Sequence, residues 1–136
     1  MENTGVKPLS LEEIKKACLI TEKGNENAQR VCRINEEITQ GLELMGRYPK
    51  KVTFFGSARF PENHPMYEKA RNLAKMLVED LDYTIVTGGG GGIMEAANRG
   101  AHDAGGNAVG ATIKLPHEQV TNKYVTQEIP FEYFFT

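Results

Sequence analysis

Two cysteines, no apolar run close to membrane-span length and no cluster of Lys or Arg mark this 136-residue chain. A membrane-crossing helix needs ~20 consecutive apolar residues, so no membrane partner is expected. Sixteen Lys and Arg stand against eighteen Asp and Glu, a net charge of −2, which argues against a nucleic-acid partner. Cys18 and Cys32 both fall in helix-like sequence, without metal spacing or a secretory context. They are read as free buried thiols in a reducing compartment. The first residues, Met-Glu-Asn-Thr-Gly, carry neither a basic region nor an apolar stretch. No signal peptide is expected, and the cytoplasm is the default location. His64, His102 and His117 lack ligand-like spacing, so no metal site is expected. No Ser-His-Asp or Cys-His arrangement can be argued from their order, and there are no repeats.

What is present centres on Thr84 to Asn98. Tyr83-Thr84-Ile85-Val86-Thr87 is β-branched and aromatic and reads as a strand. Five glycines follow, Gly88, Gly89, Gly90, Gly91 and Gly92. Ile93-Met94-Glu95-Ala96-Ala97 then has mostly good helix formers. Residues without Cβ let the chain turn sharply and let a ligand approach the backbone amides. A helix start adds unpaired N–H groups and partial positive charge. Strand, glycine loop and helix together predict an anion site, most often for phosphate; the plain alternative is a flexible turn.

In chain order, Ser10 with Glu13 fits a capping box for a short helix through Leu11, Ile14 and Cys18, with Gly24 as its stop. A second helix is predicted from about 25 to 45, with one apolar stripe through Ala28, Val31, Ile34, Ile38, Leu42 and Met45. Residues 51–55 form a first strand. Pro65 suits the first position of a helix with its apolar face at Tyr67, Ala70, Leu73, Ala74, Leu77 and Leu81. The Tyr83 strand and the glycine-led helix follow, the helix stopping at Gly105-Gly106. Residues 107–113 are a third strand, 114–122 a loop, and 124–135 can hold an edge strand. The fold class is therefore α/β, a parallel Rossmann-like sheet over 50–136 with an N-terminal helical extension over 1–49. With three strong strands and the apolar ending Phe131-Glu132-Tyr133-Phe134-Phe135, the sheet is expected to be incomplete as given.

Ligands of open α/β sheets bind beyond the carboxyl ends of strands. Two loops fall there, 56–59 and 88–92. Ser57 offers a hydroxyl and Arg59 a planar cation suited to phosphate or ribose. Equally, Ser57 merely caps a turn and Arg59 is a surface charge. Glu95 either complements the helix dipole or contacts a sugar or base. Arg99 reads as solvated or ion-paired, and Asn122 as a turn former within reach of the pocket. The run is no dinucleotide fingerprint, because the third glycine position falls on Ile93, and no Gly-Lys-Ser/Thr closes a P-loop.

Several blocks resemble the LOG family, the cytokinin riboside 5′-monophosphate phosphoribohydrolases once labelled possible lysine decarboxylases. They are Phe55-Gly56-Ser57-Ala58-Arg59, the Pro65-Met66-Tyr67 helix start, Thr87 through Ala101, and Leu115-Pro116-His117-Glu118-Gln119 with Asn122. The resemblance implies a dimeric Rossmann-like fold, no cofactor and no metal. It implies hydrolysis of the N-glycosidic bond of a nucleoside 5′-monophosphate such as AMP, giving base and ribose 5-phosphate. Ser57, Arg59, Gly88 to Gly92, Ile93, Met94 and Glu95 are then the phosphate- and nucleotide-binding residues. The family's catalytic Arg, and the Glu of its Pro-Gly-Gly-x-Gly-Thr-x-x-Glu signature, fall beyond Thr136. The catalytic residues are thus unknown and this chain is expected to turn over weakly or not at all. The alternatives are a non-catalytic nucleotide- or phosphate-binding fragment and an oligomeric scaffold driven by the N-terminal helices.

Overall fold

The computed structural model describes residues 10, 12–14, 16, 18, 26–114 and 120–132. The chain divides into two compact units, Met1–Leu44 and Met45–Thr136. In the first, the Ser10 capping box forms. The Ser10 amide (2.7 Å) and hydroxyl (2.8 Å) donate to Glu13 Oε2, which holds the Glu13 carboxyl below its usual range, and the Glu13 amide donates to Ser10 Oγ (3.3 Å). Cys18 and Cys32 are joined in a disulfide, with Cα atoms 5.7 Å apart. This corrects the expectation of free thiols: the helix bearing Cys18 and the one bearing Cys32 bring them within bridging distance, and the cysteines lend no support to a reducing compartment. Gly24 lies outside the described residues.

Helix α1 (Glu26–Gly46) matches the second predicted helix. Val31, Ile38 and Leu42 are exposed, whereas Gly41 and Leu44 are buried.

The second unit is an α/β sheet, in the order β1 (Lys51–Thr53), α2 (Pro65–Leu81), β2 (Thr84–Thr87), α3 (Ile93–Asp103), β3 (Ala108–Ile113), β4 (Gln127–Phe131). All neighbours are parallel, in spatial order β1-β2-β3-β4. Val52 pairs with Ile85, and Ile85 with Ala108. The strand expected near the end of the chain is β4. It is an edge strand, which explains how Pro130, lacking a donor, is accommodated. All four residues of β2 are buried, as befits an interior parallel strand. The sheet and its helices are the Rossmann-like α/β arrangement that the chain order predicts.

Helices α2 and α3 end for identifiable reasons. His64 Nδ1 accepts the Met66 amide (3.1 Å) ahead of Pro65 at N1, so a histidine caps α2. Asp82 closes it in the left-handed region at φ 57°. Past α3, Gly105 adopts φ 69° and the Gly106 amide donates to Ala101 O (2.9 Å), a Schellman stop.

The core under the sheet is built from small residues. Ala74, Ile85, Ala97, Ala101 and Ala108 are fully buried, with Val52, Phe54, Leu77 and Val78 packed around them. Small side chains let α2 and α3 approach closely, and Gly100 is the limiting case. A Cβ there would overlap the Arg71 carbonyl oxygen. Gly100→Val should therefore wedge the helices apart at a cost of ~1–3 kcal/mol or more. Thermal unfolding checks this; at ~4–8 °C per kcal/mol for a unit of this size, an unchanged midpoint would refute the close crossing.

Candidate functional site

The site lies where β2 and β3 end. Gly89 and Gly92 both have positive φ, 74° and 64°. At Gly92 the requirement is steric as well: a Cβ would overlap the Ser57 carbonyl oxygen. The Ile93 amide donates to that carbonyl (3.0 Å), which ties the loop after β1 to the start of α3. The Gly89 amide donates to Thr87 Oγ1 (2.9 Å). Among the described residues, the amides of Gly90, Gly91 and Gly92 donate to no protein acceptor. Three donors beside a helix N-terminus are the chemistry of an anion cradle.

Asn122 clamps this loop from above. Its Nδ2 donates to Gly89 O (3.0 Å) and Gly90 O (2.9 Å), and its own amide donates to Gly89 O (2.8 Å). Its Oδ1 also accepts the Tyr124 amide (3.2 Å), so the turn-forming role is real and coexists with the clamp. The segment carrying Asn122 is tied to the sheet through Thr121, whose hydroxyl donates to Glu128 Oε1 (2.7 Å), as does that of Thr112. Leu115 to Gln119, part of the resemblance, lie outside the described residues.

A cavity of about 380 Å³ opens beside the loop, lined by Gly91, Glu95, Val120, Thr121, Asn122 and Lys123. Of the expected site residues it gathers Gly91 and Glu95. Gly88 and Gly89 face a cleft of about 10 Å³ with Thr112, Ile113 and Thr121. Ser57 and Ile93 line a separate apolar cavity of about 370 Å³, with Phe54, Phe55, Phe60, Met66 and Leu73 among its walls. Ser57 Oγ accepts the Arg59 amide (3.2 Å), and Arg59 is exposed. Met94 packs its sulfur toward Gly88, where a Cβ would come within 3.2 Å of it.

Glu95 is held by a line of donors. Arg99 Nη1 donates to Glu62 Oε2 (2.6 Å) and Arg99 also bonds the Tyr67 oxygen. Tyr67, 1% exposed, donates its hydroxyl to Glu95 Oε1 (3.2 Å). The Arg99 bond holds the Glu62 carboxyl below its ordinary range, and the partnership raises the already high Arg99 value further. Arg99 and Lys123 both lie over the Tyr124 ring, 5.4 and 5.1 Å from its centroid. Spacing in the sequence gives Thr121 and Lys123 no role and gives Tyr67 only a place on an apolar helix face, because their partners are brought together by the fold.

Burial, more than any other influence, pushes the Tyr67 hydroxyl up to about 12. In alkaline titration one tyrosine should ionise near 12 while ordinary ones ionise near ~10, and Tyr67→Phe should remove that late step. Because the folded value lies above the unfolded one, the contribution to stability is complete below ~10 and is lost as pH rises toward 12.

Among curated proteins, none matches this chain. Among solved structures, the X-ray structure of TM1055, a structural genomics target, is similar over 60% of this chain at 24% identity, with a TM-score of 0.44. This chain covers 48% of that one, about half its length. The model of the SLOG cluster4 family matches residues 49–132, a span that holds the whole sheet, the glycine loop and the Asn122 clamp. The chain belongs to the SLOG cluster4 family, in agreement with the LOG-type resemblance of its glycine-helix block.

Proposed function

We propose that this chain binds a nucleoside 5′-monophosphate of the AMP type and belongs to an N-glycosidase that releases base and ribose 5-phosphate. Membership in the SLOG cluster4 family supports a nucleotide-related role. The observation that carries the finer reading is the set of Gly90, Gly91 and Gly92 amides that donate to no acceptor among the described residues, with Gly91 and the Glu95 carboxylate together on the wall of the adjoining cavity.

The position of Glu95 constrains the pose. Its Oε2 lies 3.8 Å from where a Gly91 Cβ would be. A phosphate oxygen ~4 Å from that carboxylate would be repelled by roughly 4 kcal/mol per unit charge at a near-surface dielectric. The phosphate is therefore assigned to the Gly91 amide on the side turned away from Glu95, and Lys123, exposed on the same cavity wall, is the cation available to it. Ser57 and Arg59, across the Gly92 turn, flank the opposite side of the loop. Glu95 then faces the ribose, where it accepts hydrogen bonds from sugar hydroxyls and favours positive charge developing at C1′. Hydrolysis breaks the C1′–N bond, water adds its oxygen to C1′, and the water proton leaves with the base. No metal or cofactor is invoked. A homodimer and a cytoplasmic setting, where nucleoside monophosphates are abundant, belong to the same proposal.

A binding-only role draws on one observation: Glu95 is the sole carboxylate on the cavity wall among the described residues, one acid where two normally share glycoside hydrolysis. Calorimetry with AMP and adenosine, together with an assay for free adenine, separates the readings. AMP should bind saturably and adenosine at least ~10-fold more weakly, given ~1.5–3 kcal/mol for hydrogen bonds to a charged group. Adenine release above background marks this chain as a hydrolase in its own right, and binding without release marks it as a nucleotide-binding unit. Gly91→Ala meets only ordinary contacts at 3.5 Å or beyond. It should therefore fold normally yet weaken AMP by about 10-fold through crowding of the cradle. Lys123→Glu should weaken AMP and leave adenosine unchanged. AMP binding as weak as that of adenosine in the unaltered chain would end the proposal.

A further inference from the structure

We infer that Thr87 and Asn98 form a buried latch that sets the conformation of the glycine loop and is kept at a cost to stability. The inference rests on the phosphate reading of Gly90 to Gly92 for its purpose, though not for its geometry. Thr87 is the last residue of β2 and is 1% exposed; Asn98, on α3, is 0% exposed. Thr87 Oγ1 accepts two hydrogen bonds, from the Gly89 amide (2.9 Å) and from Asn98 Nδ2 (3.0 Å). A hydroxyl oxygen has two lone pairs, so both are filled. The first bond closes the turn that lets Gly89 reach φ 74°. The second fixes the hydroxyl from the helix that the loop leads into. One oxygen thus sets where β2 stops, where α3 begins and which way the intervening amides point.

The cost lies in the other end of the Asn98 carboxamide. Oδ1 is buried and has no partner among the described residues. Turning the carboxamide over does not remove the deficit. Thr87 has one hydroxyl proton to give to Oδ1, and the two N–H groups would then be buried in its place. An unpaired buried polar group is destabilising, whereas an apolar side chain of similar size avoids the penalty. A residue selected for stability at this point would be leucine or methionine. Asparagine is explained if its task is to orient Thr87, and through it the loop. Asn98 and Thr87 are positioning residues that touch no substrate.

The test uses the full chain and three variants, Asn98→Leu, Thr87→Val and Thr87→Ser, with three readouts. These are the thermal midpoint, NMR amide exchange at Gly89 with Ile85 as a core reference, and AMP affinity. Asn98→Leu should leave the midpoint unchanged or raise it, while Gly89 exchange accelerates and AMP affinity falls, each by about fivefold, the loss expected for one hydrogen bond. Thr87→Val should accelerate Gly89 exchange at least as much, with Ile85 unaffected. Thr87→Ser keeps the oxygen and should restore both loop exchange and affinity. A fall of several degrees for Asn98→Leu with Gly89 exchange unchanged would make Asn98 a core residue and overturn the latch. So would parental exchange in Thr87→Val. If the unaltered chain binds no AMP, the phosphate reading fails, and the exchange measurements still decide the latch.

Discussion

The Ile93 amide donating to the Ser57 carbonyl, across a residue that cannot carry a side chain, is the constraint on which the site depends. It joins the loop after β1 to the helix after β2. The two chain segments approach so closely at Gly92 that any Cβ would overlap the Ser57 oxygen. The glycine run is therefore only partly about mobility. Gly92 permits contact, Gly89 permits a left-handed turn, and the residues between them present amides rather than side chains. The same logic repeats at Gly100 against the Arg71 carbonyl, which brings α2 under α3 and so places Tyr67 beneath Glu95.

Polar groups around the loop divide into those that hold it and those that face the cavity. Asn122 and Thr87 occupy its backbone donors and acceptors on two sides. Glu95 and Lys123 line the cavity with opposite charge beside a single loop. Arg99 and Tyr67 stand behind Glu95 and fix its carboxylate through one oxygen, leaving the other toward Gly91. An acid beside an anion cradle is a conflict unless the ligand has both a charged and a hydroxyl-bearing part, which is the basis on which the proposed pose turns the ribose toward Glu95.

Much of the second unit was legible. β-Branched runs with alternating helical periodicity specify strand and helix locally, and the parallel order of β1, β2 and β3 follows because a helix separates each of these pairs. Pro65, the Gly105-Gly106 stop and the Ser10–Glu13 box were readable because capping is a short-range affair. The α1 stripe is legible as an apolar face, but periodicity does not say what meets it, and Val31, Ile38 and Leu42 are exposed in this chain. The cysteine pair was misread for a related reason: residues separated by 14 positions show no spacing signal, yet two helical segments bring them together.

The sequence by itself determined that a glycine loop joins a buried strand to a helix, because backbone conformational freedom and helix-end chemistry are properties of neighbouring residues. Tertiary structure alone decided which side chains share that loop. It separated Ser57, on the apolar cavity, from Gly91 and Glu95. It brought Lys123 to Gly91, made of Asn122 a clamp on the loop as well as a turn former, and buried Asn98 with one oxygen unpaired. Those assignments depend on distances across the sheet, and a one-dimensional pattern carries no information about them.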